Sequence, residues 1–372
     1  MANILIIGAV PESITNFRGD LIRKFVSSGH NVTAMASKTS KEISKNIEKT
    51  GATFVSYSIN RNRINIISDF ISFITILKTF SIIKPDIVLA YTIKPIISTG
   101  IASLYFKKVK FYALITGLGY VFQPSNLFRT LLKRIIYLLY FISLRPAKKI
   151  IFQNYSNMDY MINRNIVKKE NCSVVLGSGV NLKYFSIEDF NSGPTTFLLI
   201  ARLLKEKGIR EYIQSAKSIK RKYHDVKFML VGGEDPSLDS ISVKDIKSLD
   251  SKNIIEYYGE VEDVRPYIQR CHIYVLPSYH EGMPRTVLEA MSMGRPIITT
   301  DAPGCIDTVE NNKNGFIINS RDSSQLEEKM IWFIKNRERW VEMGKKSRYI
   351  AKKVFDVDKI NDQYYKIMKL AS

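Results

Sequence analysis

The stretch of sequence that decides the architecture spans residues 278–296 and reads SYHEGMPRTVLEAMSMGRP. It follows residues 273–276, an apolar run typical of a buried strand, and its later part carries apolar residues at helical spacing. We therefore predict a strand, a loop that contains Glu281 and Gly282, and a helix that contains Glu289. Free amides at the start of such a helix favour a bound phosphate, and glycine lets a ligand approach the backbone closely.

The two glutamates have structural interpretations as well as a functional one. A carboxylate is a good bidentate acceptor for neighbouring sugar hydroxyls. Alternatively, Glu281 could only complement the helix dipole, and Glu289 could lie on a solvated helix face. For an isolated glutamate these structural interpretations would be favoured, but the complete string of nineteen residues favours a ligand site.

Strand-like and helical patterns alternate on both sides of this stretch, which predicts an α/β fold with parallel sheets covered on both faces. The length of 372 residues favours two domains, and the periodicity breaks near residues 183–195. In the first half we predict strands at 4–7, 31–36, 87–90, 111–115 and 149–152, and helices at 16–28, 65–80 and 127–142. In the second half we predict strands at 196–200, 227–231, 254–258, 273–276, 296–300 and 315–318, and helices at 209–223, 285–293 and 324–336.

Composition excludes several classes of protein. Hydrophobic residues make up 45% of the chain and charged residues 24%, so a disordered or fibrous chain is excluded. The three cysteines, Cys172, Cys271 and Cys305, show no metal-binding spacing and fit a reducing cytosol. The N-terminus has an apolar run without a basic region before it, so we interpret it as a strand and not a signal peptide. No stretch reaches the roughly 18–20 uncharged apolar residues of a spanning helix.

The net charge of +20 is distributed unevenly along the chain. Residues 1–180 hold 24 Lys and Arg against 8 Asp and Glu, whereas residues 181–372 hold 31 against 27. No acidic residue lies between Asp86 and Asp159, a stretch that contains ten Lys and Arg. This asymmetry predicts an anionic partner for the first half: nucleic acid, a phosphorylated substrate or an anionic membrane.

A second block, residues 201–208, follows the strand predicted at 196–200 and reads ARLLKEKG. Arginine presents a planar fork to phosphate and lysine presents a point charge, so Arg202 and Lys207 are suited to a diphosphate. Taken alone, two cations beside a helix start would more often form a solvated face.

Both blocks resemble the C-terminal domain of the retaining GT-B glycosyltransferases of family 4. Glu281 and Glu289 stand at the spacing of that family's E-x7-E motif, and residues 201–208 resemble its G-R-L-x-x-x-K-G segment, with Ala201 in place of glycine. Residues 231–235, 259–261 and 301–315 extend the resemblance, which covers about residues 196–318. It implies two Rossmann-like doubly wound domains that face an inter-domain cleft, with no required metal and no cofactor beyond a UDP-sugar substrate.

The resemblance also implies roles for individual residues. Glu281 would orient the donor sugar, Glu289 would hold the ribose hydroxyls, and Arg202 and Lys207 would neutralise the diphosphate. The catalytic residues are then Glu281, Arg202 and Lys207. The donor-binding residues are Glu289, Gly282, Met283, Pro284, Arg285, Val261 and Gly233.

Weaker signals in the first half point to a site for the acceptor or a phosphate. The loop and helix after the first strand contain Phe17, Arg18 and Gly19. Two further segments each follow a strand end: one contains Lys94, and the other contains Thr116, Gly117 and Tyr120. These segments resemble bacterial enzymes of capsule, O-antigen and lipid-linked oligosaccharide synthesis. Many family members have a histidine in one of these loops, but none of His30, His224, His272 and His280 fits that position, and we interpret His272 as structural.

Residues 125–149 predict a helix with a wide apolar surface and basic residues around it. Leu131, Ile135, Leu138 and Ile142 belong to one stripe, and Leu132, Ile136 and Leu139 to a neighbouring one. Such a helix could rest in a membrane interface or could be buried between the sheet and a neighbouring helix. We interpret much of it as core and its edge as a contact with lipid.

Together these observations predict three domains or segments: residues 1–185 for the acceptor, residues 186–350 for the nucleotide sugar, and a C-terminal helix at 351–372 that crosses back to the first domain. We expect a retaining glycosyltransferase that moves GalNAc, GlcNAc or Gal from UDP to an undecaprenyl-diphosphate-linked saccharide in surface-polysaccharide synthesis. Its location would be cytoplasmic, peripheral on the inner face of the bacterial membrane. The alternatives are a sugar-nucleotide epimerase of the same fold and a non-catalytic polyanion-binding protein; no nucleic-acid motif appears.

Overall fold

The computed structural model describes residues 1–59, 66–118, 127–237 and 239–370, and for residues 66 and 127–130 it describes the backbone alone. The chain divides into two compact units. The first unit consists of Met1–Ser178 and the segment from Ile360 onward, and the second consists of Gly179–Lys359.

The first unit is built on a seven-stranded parallel sheet with the order β3-β2-β1-β4-β5-β6-β7. Neighbouring residues of β1 point to opposite faces, so Ile4 and Ile6 lie in one hydrophobic cluster, and Leu5 and Ile7 in another. Apolar burial on both faces is characteristic of a doubly wound parallel sheet. The strands are β1 (Asn3–Ile7), β2 (Asn31–Ser37), β3 (Thr53–Tyr57), β4 (Ile87–Tyr91), β5 (Lys110–Ile115), β6 (Lys149–Phe152) and β7 (Cys172–Val174).

Helices cover both faces of this first sheet. The helices are α1 (Pro11–Ser27), α2 (Lys41–Glu48), α3 (Ile66–Ile83), α4 (Ile93–Tyr105), α5 (Leu127–Ser143) and α6 (Tyr155–Ile162). Residues of α3, α4 and α5 share the cluster of Leu5 and Ile7, whereas residues of α1 and α2 share the cluster of Ile4 and Ile6. The last helix of the chain contributes Ile360 to the second of these clusters.

The second unit contains a six-stranded parallel sheet with the order β10-β9-β8-β11-β12-β13. The strands are β8 (Thr196–Ile200), β9 (Lys227–Val231), β10 (Glu256–Tyr257), β11 (Ile273–Leu276), β12 (Ile297–Thr300) and β13 (Gly315–Ile318). Its helices are α7 (Ile209–Lys220), α8 (Val243–Asp250), α9 (Arg265–Arg270), α10 (Arg285–Ser292), α11 (Ser323–Lys335) and α12 (Arg339–Val354). The last helix, α13 (Val357–Ile367), begins in the second unit and belongs to the first from Ile360 onward.

The prediction of an α/β fold with two doubly wound parallel sheets is confirmed, and most predicted elements are present. Three differences stand out. β3 and β7 were not predicted, because the apolar run of β3 (TFVSY) is interrupted by polar residues and β7 has only three residues. The division between units lies at Gly179, earlier than the predicted 185, because the Val180 amide donates to Phe355 O (2.8 Å) and Val180 O accepts from Val357 N (3.1 Å). The return to the first unit begins at Ile360, and residues 351–354 belong to α12.

Candidate donor site at the carboxyl ends of the second sheet

The loop after β8 is folded into a tight turn that presents Lys207. Lys205–Lys207 form a single 3-10 turn, and Gly208 has a left-handed φ of 70°. A Cβ at Gly208 would lie 2.0 Å from the carbonyl oxygen of Pro277, directly after β11. Because only glycine tolerates both this backbone conformation and this close approach, Gly208 fixes the turn against the end of β11.

Lys207 and Glu281 form an ion pair, with 2.7 Å between Nζ and Oε1, although 74 positions separate them in the sequence. Their side chains are 13% and 16% exposed. The two loops are joined further by the Tyr279 amide and the Ser278 hydroxyl, which both donate to the carbonyl of Glu206. The structure therefore brings the two predicted motifs together at one edge of the sheet, where doubly wound folds bind ligands.

Arg202, the third predicted catalytic residue, lies in the same loop after β8. Its guanidinium pairs through Nη1 with Asp235, which follows β9, and its side chain remains half exposed. Burial by itself would raise the pKa of the Asp235 carboxyl, but the charge of Arg202 and the hydrogen bonds from Ser237 and Arg202 outweigh burial, so that the pKa is lowered. Asp235 thus faces Arg202 as a carboxylate.

Glu289 lies in the second turn of α10 and is buried, which excludes the interpretation of a solvated helix face. Its Oε1 accepts a hydrogen bond from Arg285 Nε one turn earlier, at 2.9 Å. Burial raises the pKa of Glu289 to about 7, and the positive charge of Arg285 opposes that rise. A carboxyl that titrates near neutrality beside an arginine can accept hydrogen bonds from hydroxyl groups.

The other predicted donor-binding residues surround these groups. Met283 is buried, and Pro284 caps α10, accepting a bond from the Val287 amide (3.0 Å). Gly233, after β9, is packed so closely that a Cβ there would lie 2.8 Å from Oε2 of Glu260. Gly282 follows Glu281 in the loop before α10, and Val261 follows Glu260 in the loop after β10.

Two family profiles match the chain: one described as "Glycosyl transferases group 1", over residues 181–350, and one described as "Glycosyl transferase 4-like", over residues 4–154. The chain is 31% identical over 283 residues to a Campylobacter jejuni protein named N,N'-diacetylbacillosaminyl-diphospho-undecaprenol alpha-1,3-N-acetylgalactosaminyltransferase, covering 72% of this chain and 73% of that protein. The chain is a GT-B glycosyltransferase of family 4.

One further relative and one solved structure are similar to this glycosyltransferase. The capsular polysaccharide biosynthesis glycosyltransferase CapM of Staphylococcus aureus is 29% identical over 209 residues, covering 53% of this chain and 54% of CapM. The crystal structure of Anabaena HepE in complex with UDP-glucose superposes with a TM-score of 0.81 at 18% identity, with both chains covered completely. That likeness shows the fold.

In the first unit of the glycosyltransferase, the predicted acceptor residues lie on α1, at the start of α4 and directly after β5, and the side-chain amide of Gln153 bridges Arg18 Nη2 and Thr116 O at 3.2 Å each. Phe17 is exposed on α1, whereas Arg18 and Gly19 are buried there. The guanidinium carbon of Arg18 lies 5.4 Å from the ring centre of Tyr91, the last residue of β4. Lys94 Nζ pairs with Asp69 Oδ1 at 2.7 Å.

The remaining predicted residues lie in the loop after β5 and among the histidines. Thr116 and Gly117 lie directly after β5, whereas Tyr120 lies outside the described residues. The interpretation of His272 as structural agrees with its hydrogen bonds: Nδ1 accepts from the Thr196 amide (3.1 Å), and Nε2 contacts the Asn191 carbonyl (3.0 Å). Among residues 1–59, 66–118, 127–237 and 239–370, no group of three or more His, Cys, Asp or Glu is arranged to hold a metal.

Sequence reasoning missed two residues of this site. Asp235 lies in residues 231–235, a segment for which the sequence predicts a family resemblance but no role for this carboxylate. Glu206 contributes its backbone carbonyl, which no side-chain motif can indicate. The acidic residue two positions after a glycine pair, in a loop beside a predicted phosphate-binding arginine, is the signal that could have identified Asp235.

The raised pKa of Glu289 predicts a pH-dependent stability difference between the wild type and Glu289→Gln. The folded protein binds a proton on Glu289 up to pH about 7, above the ordinary value of 4.5, so wild-type stability declines as the pH rises through that interval. We expect Glu289→Gln to be more stable than the wild type at pH 8, by on the order of 2 kcal/mol, and equally stable near pH 4.5. Thermal unfolding at both pH values measures this, with Glu262→Gln, an exposed position, as control; a difference independent of pH would contradict the assignment.

Proposed function

We propose that this glycosyltransferase is a retaining enzyme that moves GalNAc, GlcNAc or Gal from UDP to an undecaprenyl-diphosphate-linked saccharide in surface-polysaccharide synthesis. The observation that carries the proposal is the Lys207–Glu281 pair, 2.7 Å apart at the carboxyl edge of the second sheet, between the loop that also carries Arg202 and the loop that leads into the helix of Glu289. The printed name of the Campylobacter relative, with its diphospho-undecaprenol acceptor and N-acetylgalactosaminyl group, supports this choice of substrates. The UDP-glucose bound to HepE supports a UDP-linked donor.

The proposed chemistry follows from the charges of the site. In the transition state the bond between the anomeric carbon and the diphosphate breaks, and the diphosphate gains negative charge. Arg202 and Lys207 stabilise that charge, Glu281 accepts hydrogen bonds from the donor sugar, and Glu289 accepts them from the ribose. The oxygen of the acceptor hydroxyl bonds to the anomeric carbon from the face that the diphosphate leaves, which retains the α configuration, and the hydroxyl proton passes to the departing diphosphate. Because two cations face the diphosphate, the proposal requires no metal.

The proposal is tested with a panel of UDP-, GDP- and TDP-linked sugars. We expect a UDP-sugar to raise the melting temperature and to be hydrolysed slowly, because water replaces the acceptor. GDP- or TDP-sugars that stabilise the protein better would refute the choice of UDP. Interconversion of the free sugar nucleotide without an acceptor would identify an epimerase, and salt-dependent binding of polyanions without binding of UDP would identify a non-catalytic protein.

We propose in addition that the enzyme binds the inner face of the cytoplasmic membrane through the outer side of α3, α4 and α5. The two predicted apolar stripes of α5 differ in exposure. Ile136 and, one turn later, Tyr140 are buried against the sheet, whereas Leu131, Ile135, Leu138 and Ile142 are exposed. On α3, Ile67, Phe70 and Ile71 are exposed, and α4 packs against both helices. None of the helices within the described residues is long and apolar enough to cross a bilayer.

The charges of this face fit an anionic lipid surface. Arg134 is exposed on α5 beside the apolar stripe, and Lys107 and Lys108 are exposed after α4. Arg145 lies 4.4 Å from the ring centre of Phe141, which is also exposed. Each cation near an anionic leaflet contributes on the order of 1 kcal/mol, and each inserted leucine contributes about 1.5 kcal/mol or more.

The membrane proposal predicts the behaviour of a double variant, Leu131→Gln with Leu138→Gln. We expect it to bind vesicles of anionic phospholipid at least roughly tenfold more weakly than the wild type, because two exposed side chains no longer enter the apolar layer. The control is Val341→Gln, which removes a similarly exposed apolar side chain from the second unit. Arg134→Ala should weaken binding at low salt and have little effect at high salt. Equal sedimentation of the wild type with anionic and neutral vesicles would refute the proposal.

A further inference from the structure

Asp235 is a buried carboxylate that contacts a half-exposed arginine of the proposed donor site. Asp235 is 9% exposed, and its Oδ2 accepts a hydrogen bond from Nη1 of Arg202. The two residues follow neighbouring strands, since β9 and β8 pair in the sheet and end side by side. The pair therefore lies at the same edge of the sheet as Lys207 and Glu281.

The carboxylate is held in place by its own loop. Oδ1 of Asp235 accepts from the Ser237 amide at 3.0 Å, and the Asp235 amide donates to the hydroxyl of Ser240 at 3.3 Å. The Ser240 hydroxyl in turn donates to the carbonyl of Leu203 at 3.2 Å. These bonds fix the carboxylate relative to the backbone of residue 203, next to Arg202.

Backbone hydrogen bonds join the two loops directly. The Leu203 amide donates to the carbonyl of Gly233 at 2.9 Å, and the Ile241 amide donates to the carbonyl of Leu203 at 2.7 Å. The Lys205 amide donates to the carbonyl of Asp239 at 3.1 Å. The loop that carries Asp235 and the loop that carries Arg202 therefore form one connected structure.

Asp235 engages Arg202 through one nitrogen, Nη1, and the arginine side chain is 50% exposed. A guanidinium has five N–H donors in a rigid plane, so fixing one corner of the plane orients the others. An unrestrained arginine loses side-chain entropy when it binds phosphate, whereas an oriented one has lost it already. Because the pKa of the Asp235 carboxyl is lowered, Asp235 contacts Arg202 as a charged carboxylate across the neutral pH range.

We propose that Asp235 is a positioning residue, which orients the guanidinium of Arg202 toward the donor diphosphate. This inference rests on the proposed function, because it takes Arg202 as the partner of that diphosphate. Asp235 does not contact the donor; it acts through the arginine. Its negative charge is compatible with a diphosphate site because it is paired with Arg202.

The sign of the effect in Asp235→Asn separates positioning from simple electrostatics. Removal of a negative charge near an anion site strengthens the binding of the anion if only Coulomb attraction matters. If instead Asp235 positions Arg202, its replacement weakens the binding of the anion. We expect Asp235→Asn to raise the Kd for UDP about tenfold, to lower kcat, and to leave the Kd for uridine, which has no phosphate, unchanged.

Three further variants complete the test, with UDP and uridine as the probes and calorimetry as the measurement. Glu234→Gln removes an exposed negative charge from the preceding position and should leave the Kd for UDP unchanged or slightly lower. In an Arg202→Ala background, Asp235→Asn should cause no further loss of affinity for UDP. If Asp235→Asn does not fold, Asp235→Glu keeps the charge but displaces the guanidinium, and should also weaken UDP binding.

Each outcome has a defined meaning. UDP binding that is unchanged or tighter in Asp235→Asn, while Arg202→Ala weakens it, would overturn the positioning role and leave the proposed function intact. Equal losses for UDP and uridine would show a structural role in the unit and would also overturn it. A wild type that binds no UDP at all would refute the proposed function itself.

Discussion

Alanine at Lys207 or at Glu281 should reduce kcat/KM for transfer by about a thousandfold or more. Lys207 is expected to neutralise charge on the leaving diphosphate in a site shielded from water, where one such group contributes roughly 10²–10³ in kcat. Glu281 is expected to orient the sugar, and misplacement of the reacting atoms has a comparable effect. The 2.7 Å contact between the two side chains means that loss of either one also releases the other from its position.

Loss of stability must be distinguished from loss of catalysis in these variants. The two side chains are 13% and 16% exposed, so removal of one leaves the other largely buried without its partner and destabilises the second unit. The double variant Lys207→Met with Glu281→Gln removes both charges. We expect it to recover the stability of the wild type but not its activity.

A matched control lies in the same turn. Lys205 belongs to the same 3-10 turn as Lys207, and Lys205→Ala should transfer sugar at a rate close to that of the wild type. Single-turnover assays with purified variants, together with melting temperatures, measure all of these effects. Full activity in either Lys207→Ala or Glu281→Ala would contradict the assignment of the catalytic residues.

Methionine at Arg295 should lower the free energy of unfolding of the second unit by about 4 kcal/mol or more. The side chain of Arg295 is completely buried, and its pKa is lowered by that burial. Its guanidinium donates to four backbone carbonyls, each of which would lose its donor at a cost of roughly 1–3 kcal/mol. The acceptors are Ile268 (3.0 Å), Glu188 (3.0 Å), Asp189 (3.3 Å) and Gln269 (3.3 Å).

Both tryptophans of the chain, Trp332 and Trp340, lie in the second unit, so their fluorescence reports its unfolding. Urea titration followed by tryptophan fluorescence therefore measures the effect of Arg295→Met without interference from the first unit. Arg270→Met is the control, because Arg270 is half exposed and its pairing with Glu256 should contribute at most about 1 kcal/mol. An unchanged midpoint in Arg295→Met would contradict this account of the arginine.

The sequence stretch at 278–296 illustrates what could and could not be predicted. Its periodicity predicts the end of β11 and the start of α10, because a strand and a helix have different apolar repeats. The same stretch does not reveal that Arg295 binds carbonyls of residues 188 and 189. That role depends on the position of a segment about a hundred residues earlier in the chain, which no local pattern encodes.

The contact between Lys207 and Glu281 could not be predicted from local sequence either. That Lys207 meets Glu281 requires β8 to lie beside β11, and strand order is a property of the whole sheet. The resemblance to a family implied the two roles, but the contact itself had to come from the structure. For the predicted acceptor residues the structure adds their burial. The charge of Arg18 indicates a binding residue, whereas its burial beside Tyr91 follows from packing that charge alone does not predict.

Helix α5 shows how burial resolves an ambiguous pattern. Its sequence has two apolar stripes, and either could face the core. The structure buries Ile136 and Tyr140 and exposes Leu131, Ile135 and Leu138, because the angular position of the helix on the sheet selects one stripe. Helix α3, which shares the same core cluster, also exposes Ile67, Phe70 and Ile71, and the sequence pattern alone does not assign these residues to the surface.

The most direct test of the central claim is a transfer assay with a UDP-sugar and an undecaprenyl-diphosphate-linked saccharide, followed by NMR of the product. We predict that release of UDP matches the amount of lengthened saccharide, that UDP-linked GalNAc, GlcNAc or Gal serves as donor, and that the new linkage is α. A β linkage would contradict the retaining mechanism. Absence of any lengthened product with all three donors, from a protein that is folded and binds UDP, would contradict the proposed reaction.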